Sequence, residues 1–114
     1  MPHIVVEYSA HLAEIHCLND LCATLFEAAA ATGVFPDTSA IKVRAIPCPF
    51  GHAGTEPKGF AHATIRLLAG RDEATKAALT RRILAVLDQA LPEVGSLSVD
   101  IRDIDTATYA KRTL

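Results

Sequence analysis

The sequence has no tryptophan and only six aromatic residues. That is too sparse for a platform that stacks the bases of a single strand. It also lacks an excess of positive charge. Eleven Lys and Arg stand against 13 Asp and Glu, a formal net charge of −2, so no nucleic-acid partner is expected. The longest uninterrupted apolar run, Ile83 to Leu87, is five residues, whereas a membrane span needs about 20; no membrane association is expected. The opening Met1-Pro2-His3-Ile4 is not a basic patch leading into an apolar stretch, so a cytoplasmic location is expected. Three cysteines are an odd count without a disulfide framework and suit a reducing compartment. A glycine-rich phosphate loop is missing as well. Gly51, Gly54 and Gly59 neither follow a strand directly nor open a helix, which removes nucleotide binding.

What is present is a chain of 114 residues, half of them hydrophobic and 21% charged, enough for one domain with a modest core. Ile4 to Tyr8 is short and β-branched and predicts a first strand. Leu18, Leu21, Cys22, Leu25, Phe26 and Ala29 recur at helical spacing, and Gly33 follows where a helix stops. Residues 40–46 alternate, with Ile41, Val43 and Ala45 on one side and Lys42 and Arg44 on the other. Residues 47–59 contain three prolines and three glycines and read as a loop. Phe60 to Ala69 alternates again. Asp72 then caps a second helix whose stripe is Leu79, Ile83, Leu84, Val86, Leu87 and Leu91. A fourth strand follows around Leu97, Val99 and Ile101, and the tail from Asp103 is polar and weakly patterned.

The order is strand, helix, strand, loop, strand, helix, strand. The fold class is α/β (α+β), as two fused βαβ units covering about 2–46 and 60–103 of a single domain, 1–114. Each helical crossover makes the strands it joins parallel, and the right-handed rule puts both helices on one face of a four-stranded sheet. The other face is then bare. Since a largely parallel sheet is normally covered on both sides, a homo-oligomer is expected.

Met1-Pro2 carries the most chemistry. Aminopeptidases usually remove Met before a small second residue, and removal here exposes a secondary amine. An α-amine has a reference pKa of about 7.7 to 8.0, and burial or neighbouring cations push it down, toward a general base at neutral pH. While Met1 remains, the Pro2 nitrogen is a tertiary amide without a basic lone pair. Pro2 leads straight into the first strand, which places the amine at a strand end. Lys42 and Arg44 share a face of the second strand, and Arg71 lies at the junction of the third strand and second helix. Such cations suit a carboxylate-bearing substrate, which arginine grips with two hydrogen bonds. For Lys42 alone, a solvated strand edge guarded against aggregation is an equally good reading.

His11, His16, Cys17 and Cys22 do not form the compact ligand couples of a zinc site, so no metal is expected. Cys22 lies on the apolar stripe of the first helix and is expected in the core. Cys48, between two prolines, has no basic neighbour at useful spacing. His62 shares a strand face with Thr64 and Arg66 and suits an interface.

Four segments together carry a resemblance: Met-Pro-His-Ile at the start, Ala-Ala-Ala-Thr-Gly-Val-Phe-Pro at 29–36, Ile-Lys-Val-Arg-Ala at 41–45, and Leu-Ala-Gly-Arg at 68–71 before a helix. In order and spacing the chain resembles the 5-carboxymethyl-2-hydroxymuconate isomerases of the tautomerase superfamily, over nearly its whole length. The resemblance implies a tautomerase-like trimer acting in homoprotocatechuate breakdown without a cofactor. It implies that Pro2 takes a proton from a dienol and returns it to a distant carbon. It also implies that Arg44 and Arg71, with Lys42 in the same strand segment, bind substrate carboxylates and polarise the 2-hydroxy or 2-oxo end. Phe35 or Phe50 would wall the pocket. The chain departs from the family pattern at Lys42, where relatives carry arginine, and in the 47–59 loop, which leaves the substrate range open. The competing reading is a non-catalytic trimeric module that binds small carboxylates. A third, a purely structural protein, requires Lys42, Arg44 and Arg71 to face water instead of converging.

Overall fold

Alternating apolar residues build four strands, and two amphipathic helices cover them. The computed structural model describes all 114 residues. In chain order they form β1 (His3–Ser9), α1 (Leu18–Ala31), β2 (Lys42–Cys48), β3 (Phe60–Leu68), α2 (Glu73–Ala90) and β4 (Ser96–Ile104). Single 3-10 turns at Ala10–Glu14 and Thr38–Ala40 precede α1 and β2. Gly33 adopts φ +73 just beyond α1, the left-handed turn that stops a helix cheaply only at glycine. Asp72 caps α2, its carboxylate accepting from the Thr75 N–H at 2.8 Å.

The second strand differs from the sequence expectation at both ends. It begins at Lys42 because residues 38–40 turn instead, held by the Asp37 carboxylate, which accepts from the Ser39 N–H and hydroxyl. It ends at Cys48, running through Pro47. Proline is tolerated there because β2 lies at the sheet edge and Pro47 needs no ladder partner on its open side.

The sheet order is β2-β1-β3-β4. The pairs joined by helical crossovers, β1 with β2 and β3 with β4, are parallel, whereas the central β1–β3 pair is antiparallel. The sheet is therefore mixed, and the two units meet through their equivalent first strands, which run in opposite directions. Both helices pack on one face, over a core of 20 buried residues that includes Ile4, Val6, Leu25, Ile65, Ile83 and Leu87. Four stripe residues fall outside it, Leu18 being partly buried against its rim. Phe26 and Leu84 are 36% and 38% exposed, and Cys22 is half-buried at the rim of α1 rather than in the core. The helical stripe is wider than the strip of sheet beneath it. The opposite face carries Lys42, Arg44, His3, Thr64, Arg66 and Arg102 side by side in register, a polar surface. On the same face His62 Nδ1 and Ser98 Oγ lie 2.7 Å apart and hydrogen-bond.

Register brings the starts of β1 and β2 and the ends of β3 and β4 to one edge of the sheet. The chain after Ile104 turns back along that edge until its last residues lie beside the start of β2. No helix is long and apolar enough to cross a membrane.

Candidate active site

The site grows from the first residues of β1. The Pro2 ring is fully buried, and its carbonyl accepts the Lys42 N–H at 3.0 Å. This is a rung of the β1–β2 ladder, so pairing between the edge strand and β1 fixes where the chain begins. One residue earlier, the terminal amine donates to the Ala40 carbonyl at 3.1 Å. Its pKa is pushed below the ordinary 8.0, first by burial, then by Lys111, Lys42 and Arg71, with Asp37 opposing.

Arg71 reaches this edge from the β3–α2 junction and is held on three sides. Its guanidinium donates to the Leu68 carbonyl at 3.1 Å and the Val34 carbonyl at 3.3 Å, and it lies 5.5 Å from the centroid of the Phe35 ring. Phe35 is 3% exposed and Phe50 is 92% exposed on the long loop. Of the two aromatics, Phe35 is the one that lies under a cation, Arg71.

Lys42 turns its Nζ onto the Ala40 carbonyl at 2.7 Å. Arg44, two residues on, instead puts its guanidinium 3.2 Å from His3 Nδ1. Burial, then Arg44 and Lys42, push the His3 pKa below 6.5, which favours the neutral ring that can accept from Arg44. The structure thus gathers Pro2, Lys42 and Arg71 around the chain start and sets Arg44 apart, over the open sheet face. Two cations absent from the sequence reading join them. Lys111 and Arg112 line a cleft of about 310 Å³ with Asp37, Ser39 and Lys42. Their signal in the sequence is only a Lys-Arg pair in an unpatterned tail, which no periodicity assigns to an element.

The other singled-out residues lie elsewhere. His16 pairs with Glu93, His11 rests against Gly59, and no three His, Cys, Asp or Glu side chains come together as metal ligands. Cys48 is half-buried. A larger groove of about 420 Å³ between α1 and α2, lined by Thr24, Glu27 and Arg82 among others, brings no amine or cation cluster together.

Solved structures share this fold along nearly the whole chain. A 5-carboxymethyl-2-hydroxymuconate isomerase from Deinococcus radiodurans R1 superposes with a TM-score of 0.84 at 24% identity, covering 99% of this chain and 90% of that one. A 5-carboxymethyl-2-hydroxymuconate delta-isomerase gives 0.79 at 21% identity, covering 99% and 88%. A fused 4-OT wild-type symmetric trimer gives 0.77 at 19% identity, covering 96% and 90%. No protein of curated function matches the chain. The family model for 5-carboxymethyl-2-hydroxymuconate isomerase matches residues 2–113, so the chain belongs to that family and is an isomerase of the tautomerase superfamily.

Proposed function

We propose that the protein, once Met1 is removed, shifts a proton on a 2-hydroxymuconate-type unsaturated carboxylate, 5-carboxymethyl-2-hydroxymuconate, with Pro2 as the base and then the acid. The observation that carries this reading is the place of the chain start: Pro2 is buried at a strand end with Lys42 and Arg71 near it, in surroundings whose burial and cations lower the pKa of the Met1 amine one residue earlier. The Pro2 nitrogen takes the proton of the 2-hydroxyl, the electron pair moves through the diene, and the proton is returned to a distal carbon to leave the 2-oxo isomer. No electrons enter or leave, so the reaction needs no redox cofactor. Arg71, already oriented by two backbone carbonyls and Phe35, suits the oxygen on which negative charge develops, because a donor fixed in advance pays no reorganisation in the transition state. Lys42 suits a substrate carboxylate, and Arg44 one that extends toward the open sheet face.

That face also supports self-association as a trimer. It is one whole side of the sheet, and a fused 4-OT of similar fold is a symmetric trimer. Light scattering on the purified protein tests this, with a mass of one subunit as the contrary result.

The test of the activity is the ultraviolet absorbance of 5-carboxymethyl-2-hydroxymuconate mixed with protein verified to begin at Pro2, and with Met1-retaining protein alongside. Loss of the conjugated absorbance only with free Pro2 is the expected result. No change relative to buffer with free Pro2 overturns the isomerisation of this substrate and leaves the carboxylate-binding module.

A further inference from the structure

The last ten residues, 105–114, form no helix or strand and are exposed except at Tyr109, yet they end against the body of the fold. They leave β4 at one edge of the sheet and finish beside the start of β2 at the other. Crossing three inter-strand spacings takes about 15 Å, well within the reach of ten residues at roughly 3.3 Å each. The path passes the end of β3 and the start of β1, where Pro2 lies. Tyr109 is half-buried along the way. At the end of this path Lys111 and Arg112 face Lys42, Asp37 and Ser39 across the 310 Å³ cleft.

This placement puts an imbalance of charge into one small space. Asp37 is the only anionic side chain on the cleft, against Lys42, Lys111 and Arg112. Asp37 stays charged, its carboxylate accepting from both the hydroxyl and the N–H of Ser39, and offsets only one of the three. None of the three cations forms an ion pair in the structure. Three positive charges against one negative favour an anionic ligand. Arg71, held on the Val34 and Leu68 carbonyls, is the separate cation for the reacting end. An anion with one carboxylate satisfies one of these places; an anion with two, at the ends of a short unsaturated chain, satisfies both.

We infer that the C-terminal tail is part of the substrate site, with Lys111 holding the carboxylate remote from the reacting 2-hydroxy acid end and so selecting dicarboxylates over monocarboxylates. The inference rests on the proposed reading of the same site and adds its specificity. It also gives the tail, the least patterned stretch of the sequence, a role: a cation carried on a tether adapts to the length of the acid it meets. Arg112 adds to the field but is one residue nearer the chain end.

Two unreactive ligands separate the charge from the chemistry. trans,trans-Muconate and sorbate share a six-carbon diene, and muconate has a carboxylate where sorbate has a methyl group. Neither has the 2-hydroxyl, so neither is turned over. Calorimetric titration at low ionic strength of protein beginning at Pro2 is expected to show muconate bound at least about tenfold more tightly than sorbate, the scale of one charge-assisted hydrogen bond, with the ratio falling as salt rises. In Lys111→Gln the ratio is expected to drop to near one. In Lys58→Gln, which removes the same charge from the distant loop, it is expected to persist. Equal affinity for both ligands, no binding of either, or a muconate preference that survives Lys111→Gln overturns the role of the tail, even where 5-carboxymethyl-2-hydroxymuconate is isomerised. A preference that depends on Lys111 in a protein that isomerises nothing upholds the tail and overturns the isomerase reading alone.

Discussion

The terminal amine of Met1 and the Nζ of Lys42 donate to one acceptor, the carbonyl oxygen of Ala40, at 3.1 and 2.7 Å. Two positive charges are thereby held on the last carbonyl of the 3-10 turn at Thr38–Ala40. The turn is braced from its other side by Asp37. Ser39 hydrogen bonds, from the hydroxyl first and then the N–H, hold the Asp37 carboxyl below its usual range and keep it charged. A three-residue turn therefore places both the strand that carries Lys42 and the dipole that receives the amine. Removal of Met1 leaves the Pro2 nitrogen at the same edge, among the same cations.

Pro2→Ala retains a small residue after Met1 and thus a free amine, but a primary one without the fixed ring geometry. With 5-carboxymethyl-2-hydroxymuconate, kcat is expected to fall about 100-fold, in the range of a displaced general base, while KM moves by only a few fold. Steady-state kinetics on the two proteins decides it. Equal kcat removes Pro2 from the mechanism.

Arg71→Ala removes the donor to two backbone carbonyls and the cation over Phe35. Stability is expected to fall by about 1 to 2 kcal/mol in urea unfolding, and kcat/KM by about 100-fold or more. Arg71→Lys keeps the charge but cannot bridge both carbonyls while presenting further donors. Its stability is expected to lie between the two, with kcat/KM close to that of Arg71→Ala. Recovery of kcat/KM in Arg71→Lys would show that charge alone suffices there.

His3 supplies a pH-dependent stability of definite sign. Burial, Arg44 and Lys42 lower its pKa from 6.5 in the folded protein, so the unfolded chain binds the proton more readily. Stability then rises with pH from the lowered value up to about 6.5 and is level above it. The melting temperature is expected to climb across that window in wild type, and the climb is expected to shrink in His3→Gln. An identical pH profile in the two proteins would assign the titration to another group.

Gly95 joins α2 to β4 where the 47–59 loop folds back. A Cβ at this position would meet the Pro57 carbonyl oxygen and the Thr55 hydroxyl, both too close to accommodate it. Gly95→Ala is expected to cost about 1 to 3 kcal/mol, the scale of overpacking, read from the midpoint of urea unfolding. The penalty should leave the cation cluster intact, since that cluster is at the opposite edge of the sheet.

The sequence alone carried the elements and their partners in the crossover sense. Leu21, Leu25 and Ala29, then Leu79, Ile83 and Leu87, mark the buried stripes because helical periodicity is a local property and survives without knowledge of the fold. Ala61, Ala63 and Ile65 mark one face of β3 for the same reason. Pro2, Lys42 and Arg71 were legible as candidates because a proline second in the chain and cations at strand ends are unusual enough to notice. Only the tertiary structure decided which of them meet. Arg44 shares a strand face with Lys42, yet a two-residue step along β2 moves it away from the chain start and onto His3. Lys111 is 69 positions from Lys42 along the chain and arrives through a tail without periodicity, whose course is set by where β4 ends in the sheet order. The antiparallel centre was equally beyond local pattern, since β1 and β3 are joined through a whole unit and a loop, and their relative direction is settled by how the two units pack. Local periodicity writes the elements; the charges that share a site are chosen by long-range register, which depends on every strand at once.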